Sequence, residues 1–276
     1  MTAGPVAIIG LGCIGGSLAR ALVARDVPLR AWGESAIDRD LAAAAGIPVS
    51  ADLGATVRSA TVVVLAVPVP ALAAVAEAVS RVQPNALVMH TASLQGAGLL
   101  GLSPALAARV IGTHPLSGSH ERGFAASRAD LFAGCSVSVE ERADARARAA
   151  AGSLWRAAGA ARCDFREAGE HDLLMTWVSH LPQLTATALA GTLASHGIAA
   201  RDAGTGARDT TRLAASPLEM WGPLLTLARP QLDIALAALE ARIAELRHAL
   251  SARDGDELAG LWESARAWRL TAGDPP

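Results

Sequence analysis

The chain has 276 residues, which is enough for a well-buried core and two lobes. Its formal net charge of −2 excludes a general electrostatic attraction to nucleic acid or to an anionic membrane. All 24 basic residues are arginines. Without lysine, the chain cannot form a Schiff base or a Walker-type phosphate loop, and it has no lysine general acid.

The cysteines and the chain start favour a cytoplasmic protein. Cys13, Cys135 and Cys163 are too few and too scattered for a disulfide framework or a zinc site, so buried thiols in a reducing compartment are expected. The chain start has no basic residues followed by an apolar run, so we expect no signal peptide. The apolar stretch 61–76 is too short to span a bilayer. We therefore expect no membrane, nucleic-acid or metal partner.

The first predicted strand, residues 6–9, runs into a glycine-rich turn and then a predicted helix. In a dinucleotide-binding fold the first glycine (Gly10) permits a tight turn, the second (Gly12) admits a pyrophosphate, and the third (Gly15) lets helix and strand pack closely. The N–H groups at the helix start attract phosphate. We expect a nucleotide cofactor, the alternative being a plain strand-to-helix turn. The predicted cofactor-binding residues are Gly10, Gly12, Ile14, Gly15, Glu34, Val67 and Pro68.

Short apolar strands and helical segments then alternate along the first half of the chain. Strands are predicted at residues 29–32, 61–67, 86–89 and 109–112, and two later ones at 136–139 and 160–165 flank a helix at 144–158. This alternation predicts an α/β fold with a Rossmann-type doubly wound parallel sheet over residues 1–166.

From residue 167 onward the pattern is helical, which predicts an all-helical C-terminal substrate and dimerisation domain over residues 167–276. Its clearest periodicity is an apolar seam spaced 4-3-4-3-4, which fits an ordinary core helix and a homodimer interface equally well. The seam consists of Leu232, Leu236, Leu239, Ile243, Leu246 and Leu250.

Polar residues follow several predicted strands, where ligands gather in an open parallel sheet. Ser93 comes shortly after the strand at 86–89, and Glu34 follows the one at 29–32. His114 follows the strand at 109–112 and is the best catalytic candidate, because its near-neutral pKa suits a base that accepts a hydroxyl proton. The alternative is a loop histidine bonded to the backbone.

The helical half contains a second group of histidines. His171 and Asp172 open a predicted helix that Pro182 interrupts just after His180, and such interruptions are common where a helix lines a site. His171 and His180 are nine residues apart, so they lie on opposite faces of a regular helix and cannot share a metal. One of the two histidines is expected to be structural.

Two arginines further along are candidates for holding a substrate carboxylate. Arg208 and Arg212 share a face if their segment is helical, and guanidinium groups bind carboxylates through paired hydrogen bonds. The alternative is a salt-bridge network with Asp209 and Glu219.

Four motifs occur in an order that resembles the prephenate/arogenate (cyclohexadienyl) dehydrogenase family over nearly the whole chain. They are the Gly-Leu-Gly-x-Ile-Gly-Gly-Ser start, a His-Pro-x-x-Gly segment at His114, Ser-His-Leu-Pro at His180, and Arg-Asp-x-Thr-Arg-x-Ala-x-Ser-Pro from Arg208. The resemblance implies oxidative decarboxylation of prephenate to 4-hydroxyphenylpyruvate on the route to tyrosine, by a dimer.

The resemblance also implies roles for individual residues. A hydride leaves the ring carbon that carries the 4-hydroxyl, while His114 takes the hydroxyl proton and Ser93 helps to hold that hydroxyl. Loss of the ring carboxylate as CO₂ then makes the ring aromatic. His180 and Arg212 match substrate-binding residues, with Arg208 as a neighbouring partner.

The chain departs from the family pattern at three places. The usual Asp-x-x-Ser-x-Lys reads His90 to Gln95 here, and His120 replaces an acidic residue. Gly33 stands where the family has an aspartate for the cofactor ribose. Glu34 is its expected substitute, and its charge disfavours a 2′-phosphate, so we predict NAD over NADP.

Other functions remain open at this stage. The lost charges are compatible with arogenate or 4-amino-4-deoxyprephenate as substrate. A β-hydroxyacid dehydrogenase normally uses a lysine that this chain lacks, and an imine reductase does not need both the His-Pro segment and the arginine pair. A non-catalytic dinucleotide-binding module does not need Ser93, His114, His180 and Arg212.

Overall fold

The computed structural model describes residues 4–96, 98–118 and 121–271. Within these ranges seven strands form one sheet in the order β2-β1-β3-β4-β5-β6-β7, and all neighbours are parallel except β5 and β6. The predicted doubly wound sheet is confirmed, with one antiparallel pairing added. The strands are β1 (Val6–Ile9), β2 (Leu29–Trp32), β3 (Val62–Leu65), β4 (Leu87–His90), β5 (Val110–Pro115), β6 (Ser136–Glu140) and β7 (Arg162–Arg166).

Helices surround the sheet and then continue alone. Those of the first half are α1 (Cys13–Val23), α2 (Ala36–Ala44), α3 (Leu53–Val57), α4 (Val69–Val82), α5 (Pro104–Ala107) and α6 (Ala145–Ala157). Those of the second half are α7 (Ala168–Met175), α8 (Leu181–Ser195), α9 (Thr205–Thr211), α10 (Leu218–Leu227), α11 (Arg229–Ala252) and α12 (Gly255–Thr271). Among the described residues, none of these helices is both long and apolar enough to cross a membrane.

The central strands β1 and β3 are continuous apolar runs because both faces of the sheet are buried there. In β1, Val6 and Ile8 belong to one apolar cluster, whereas Ala7 and Ile9 belong to the other. This alternation is the period of two that a strand imposes on its side chains. Helices therefore cover the sheet on both sides, and the ligand-accessible edge is left at the strand ends.

The structure corrects the predicted position of His114. The expected strand ended at residue 112, but β5 continues through Pro115, so His114 lies inside the strand rather than after it. The cause is pairing with β6: His114 lies opposite Ser138, and Pro115 lies opposite Val137. Pairing with a strand more than twenty residues away holds the histidine in a rigid sheet.

The helical half begins directly after β7. The break predicted near Pro182 is present: α7 passes into a π-helical turn at Thr176–His180, and α8 starts at Leu181. Leu224 of α10 belongs to the same apolar cluster as Leu72 of α4, so the helical half packs onto the sheet half beside its ligand edge.

The apolar seam of α11 is only partly buried in the single chain. Leu232 is buried, whereas Ile243 is 55% exposed and Leu250 is 64% exposed. The first turns of α11 thus contribute to the core, and the later turns present apolar side chains on the surface.

Candidate active site

The glycine turn after β1 has the geometry that a dinucleotide phosphate requires. Gly10 has a φ of +102°, and a Cβ there would lie 2.2 Å from the carbonyl oxygen of Ala66. A Cβ at Gly15 would lie 1.9 Å from the carbonyl oxygen of Gly10, so α1 packs too closely against the turn for any side chain. Around Gly12 there is open space, and no side chain caps the helix that begins at Cys13. The N–H groups of the first helical turn are therefore available to a phosphate.

A cleft of about 1150 Å³ lies along the carboxyl ends of the strands. Pockets for a single small ligand are roughly 300–1,000 Å³, so this cleft is large enough for an extended cofactor with a small substrate beside it. The predicted site residues that line the cleft are Gly10, Gly12, Ile14, Glu34, Val67, Pro68, Ser93 and His114. The helical half contributes one wall through Glu219, Met220, Pro223 and Leu224 of α10. Gly15 lies beneath the turn.

The end of β2 is closely packed at Gly33, where the family pattern has an aspartate. A Cβ at Gly33 would lie 3.1 Å from both the backbone nitrogen and the Cβ of Leu11, so a side chain at this position would require Leu11 to shift by a few tenths of an ångström. Glu34 is exposed and lines the cleft. Arg39 donates from Nη1 to the carbonyl oxygens of Gly33 (2.7 Å) and Glu34 (2.8 Å). The acidic side chain, Glu34, thus comes one position later than in the family pattern, and Arg39 holds the backbone that carries it.

His114 contacts a second histidine that belongs to the helical half. Its Nδ1 lies 3.1 Å from Nε2 of His171, and the two rings meet edge to face at an interplanar angle of 85°. Burial, followed by the nearby His171, His90 and His180, lowers the pKa of His114 to about 3. The imidazole is therefore neutral at ordinary pH, which is the form that accepts a proton.

Asp172 connects His171 to the loop that carries Ser93. Its Oδ1 lies 2.8 Å from Nδ1 of His171 and accepts the backbone N–H of Gln95 at 2.8 Å, while Oδ2 accepts the N–H of Gly96 at 2.9 Å. His171 is fully buried. The sequence pattern assigned no place in the site to His171 or Asp172, because His114 and His171 are 57 positions apart and nothing local indicates their contact. The available signal was a His-Asp pair at the start of a helix that leads into a proline-interrupted turn.

The two positions where the family pattern has charged residues are neutral and buried here. His90, the last residue of β4, accepts the N–H of Ala92 at Nδ1, and burial lowers its pKa to about 4. Gln95 donates from Nε2 to the carbonyl oxygen of Ser138. Both side chains support the strand ends beneath the cleft. His120 lies outside the described residues, whereas Glu121 is exposed and lines the cleft.

The remaining candidates do not line the cleft among the residues that the structure describes. His180 is fully buried in the π-helical turn, its two ring nitrogens have no partner in the described chain, and its ring contacts Trp221 edge to face. Burial lowers its pKa to about 4.

Arg208 and Arg212 are both exposed, and within the described ranges neither forms an ion pair. They do not share one regular helix as expected, because α9 ends at Thr211 and Arg212 starts a 3₁₀ turn. Among the residues that the structure describes, the salt-bridge network considered for these arginines is not found.

Within the described part of the chain, no group of three or more His, Cys, Asp or Glu side chains is arranged to hold a metal ion. A Rossmann-type sheet, a glycine turn open to phosphate and a neutral histidine in one cleft define a dinucleotide-dependent oxidoreductase.

Comparison with known proteins identifies the family. Residues 18–162 match the model of the prephenate dehydrogenase nucleotide-binding domain, and residues 167–263 match that of the prephenate dehydrogenase dimerization domain. The chain is 33% identical to the cyclohexadienyl dehydrogenase of Zymomonas mobilis, over 96% of this chain and 94% of that protein. It is 25% identical to the prephenate dehydrogenase of Bacillus subtilis, over 96% of this chain and 75% of that protein. The chain belongs to the prephenate dehydrogenase family.

A solved structure shares the whole fold. Prephenate dehydrogenase from Aquifex aeolicus, in complex with hydroxyphenyl propionate and NAD⁺, superposes with a TM-score of 0.88 at 22% identity and covers 99% of both chains. At 22% identity this similarity shows that the two proteins share a fold, in both halves of the chain.

Proposed function

We propose that this protein catalyses the NAD-dependent oxidative decarboxylation of prephenate to 4-hydroxyphenylpyruvate, a step of tyrosine biosynthesis. The observation that carries the proposal is His114, a neutral histidine that lines the same cleft as the glycine turn and contacts a buried His171. An alcohol oxidation needs a base at that place, because the hydroxyl proton must leave as the hydride departs.

NAD fits the residues that are present. Gly10, Gly12 and Gly15, with the start of α1, would hold the pyrophosphate, and Ile14, Val67 and Pro68 would contact the rest of the cofactor. Glu34 would accept the ribose hydroxyls and repel a 2′-phosphate, which favours NAD over NADP. When bound, the nicotinamide ring accepts the hydride.

The substrate side of the site would use the remaining candidates. Ser93 holds the 4-hydroxyl, and Nε2 of His114 takes its proton. His180 contributes a buried imidazole whose ring nitrogens have no hydrogen-bond partner among the described residues. Arg212 binds a substrate carboxylate with Arg208 beside it. These roles are supported by the motif match, and the role of His180 also by the state of its ring nitrogens.

A second candidate is arogenate or an amino analogue of prephenate. The relative with 33% identity is named a cyclohexadienyl dehydrogenase rather than a prephenate dehydrogenase. In this chain the neutral His90 and Gln95 also stand where the family pattern has charged residues. We propose prephenate first, because the family models describe prephenate dehydrogenases.

The test is a side-by-side assay of prephenate, arogenate and 4-amino-4-deoxyprephenate with NAD⁺ and with NADP⁺, following reduced cofactor and CO₂. We expect the highest kcat/KM for prephenate with NAD⁺ and one CO₂ per NADH. A preference for an amino substrate establishes the alternative, and a markedly lower KM for NADP⁺ refutes the cofactor assignment. No turnover of any of the three substrates refutes the function.

The proposed assembly is a cytoplasmic homodimer formed through the helical half, with the domain boundary at residue 166. The match to a dimerization domain and the exposed apolar side chains Ile243 and Leu250 support this arrangement.

A further inference from the structure

We propose that His171 and Asp172 are positioning residues that fix the tautomer of His114, so that its Nε2 offers a lone pair to the substrate hydroxyl. The inference rests on the proposed function, because it specifies which ring nitrogen of the proposed base carries the proton. It rests on a chain of contacts that joins the helical half to the cleft.

The chain of contacts begins at the carboxylate of Asp172, which two backbone N–H groups hold in place. Asp172 accepts hydrogen bonds from the backbone N–H groups of Gln95 and Gly96. Both carboxylate oxygens are thus occupied as acceptors of N–H groups. At 2.8 Å from Oδ1, Nδ1 of His171 must therefore carry a proton.

The tautomer of His171 then determines that of His114. With a single proton on its ring, at Nδ1, His171 offers Nε2 as an acceptor. It lies 3.1 Å from Nδ1 of His114, and that contact is a hydrogen bond only if Nδ1 of His114 donates. Nε2 of His114 consequently holds the lone pair, and it makes no hydrogen bond in the described chain.

The reaction step balances with this arrangement. The substrate O–H bond breaks and its proton goes to Nε2 of His114, while the hydride from the same carbon goes to the oxidised nicotinamide. His114 becomes an imidazolium whose Nδ1–H still donates to His171, and Asp172 still accepts from His171. The opposite tautomer of His114 would present an N–H to the substrate hydroxyl and could not accept its proton.

The first experiment reads the tautomers without any substrate. Protein labelled with ¹⁵N in its histidines is examined by long-range ¹H–¹⁵N correlation, with signals assigned from His171→Gln and His114→Asn. We expect protons on Nδ1 of both His171 and His114. A spectrum with His114 protonated at Nε2, or His171 protonated at both nitrogens, overturns the inference.

The second experiment tests the catalytic consequence. General acid–base catalysis contributes about 10²–10⁴-fold to rates, so we expect His171→Ala to lower kcat about 100-fold while the KM for NAD⁺ changes less than about twofold. Added imidazole should occupy the buried space that the side chain of His171 leaves. It should raise the kcat of His171→Ala by at least about tenfold, and the rise should saturate with imidazole concentration. His171→Gln, whose Oε1 can accept from Nδ1 of His114, should keep more activity than His171→Ala.

Controls separate a structural effect from a positioning effect. The exposed His196→Ala should show wild-type kcat and no response to imidazole, and thermal unfolding shows whether each variant is folded. A folded His171→Ala with kcat within about threefold of wild type, or one that imidazole does not restore, overturns the inference. If the wild type turns over none of the proposed substrates, the proposed function fails, and the histidine spectrum still decides the tautomers.

Discussion

Replacing His180 should reduce the loss of stability that acid causes. His90 and His180 are fully buried, and burial lowers the pKa of each to about 4 from 6.5. Between pH 4 and pH 6.5 the unfolded chain binds more protons than the folded chain, so the free energy of unfolding falls as the pH is lowered. The folded state therefore keeps its full stability above pH 6.5 and loses part of it as the pH falls toward 4. At about 1.4 kcal/mol per pKa unit, lowering the pH from 7 to 5 costs about 2 kcal/mol for each histidine. Two such losses are large beside a total stability of about 5–15 kcal/mol.

The assay is urea unfolding of the wild type and of His180→Asn at pH 7 and pH 5. For each protein we take the difference in the free energy of unfolding between pH 7 and pH 5. A lower absolute stability of the variant does not affect this difference. We expect the loss in His180→Asn to be smaller than in the wild type by about 2 kcal/mol. The exposed His196→Asn is the matched control and should retain the full loss. Equal losses in wild type and His180→Asn would refute the assignment of a low pKa to His180.

Three further predictions concern the substrate, the cofactor and the assembly. Arg212→Ala should raise the KM for prephenate about tenfold or more and leave the KM for NAD⁺ within about twofold, because it removes one charge-assisted carboxylate contact. Equal changes in both constants would argue against Arg212 as a substrate-binding residue. Glu34→Ala should raise the KM for NAD⁺ and lower that for NADP⁺, measured by cofactor titration, and an unchanged ratio would exclude Glu34 as the ribose ligand. Leu250→Glu should shift the protein toward monomer in sedimentation equilibrium, whereas an unchanged mass would remove the exposed seam of α11 from the interface.

Much of the sheet half could be predicted because local signals agreed with the fold. The strands β1 and β2 have the predicted bounds, since each is a short segment between a proline and a glycine, and β1 is apolar throughout. The φ of +102° at Gly10 likewise follows from a glycine in the turn. The extension of β5 through Pro115 could not be predicted, because it depends on pairing with a strand contributed from elsewhere in the chain.

The candidate site was predictable only where its residues are adjacent in sequence to strand ends. Ser93 and His114 line the cleft as their positions indicated. The contact of His114 with His171 arises from the packing of the helical half against the sheet half, and no periodicity records it. A sequence alone also gave no sign that Asp172 bonds to Gln95 and Gly96.

The central claim is that His114 is the base of a dehydrogenation in this cleft, and His114→Asn tests it most directly. Asparagine preserves a polar side chain of similar reach and cannot accept the hydroxyl proton. The measurement pairs prephenate turnover with NAD⁺ affinity by titration calorimetry on the same preparation. The account predicts that turnover falls by about 10²-fold or more with the NAD⁺ affinity unchanged. Near-normal turnover in this variant would contradict it.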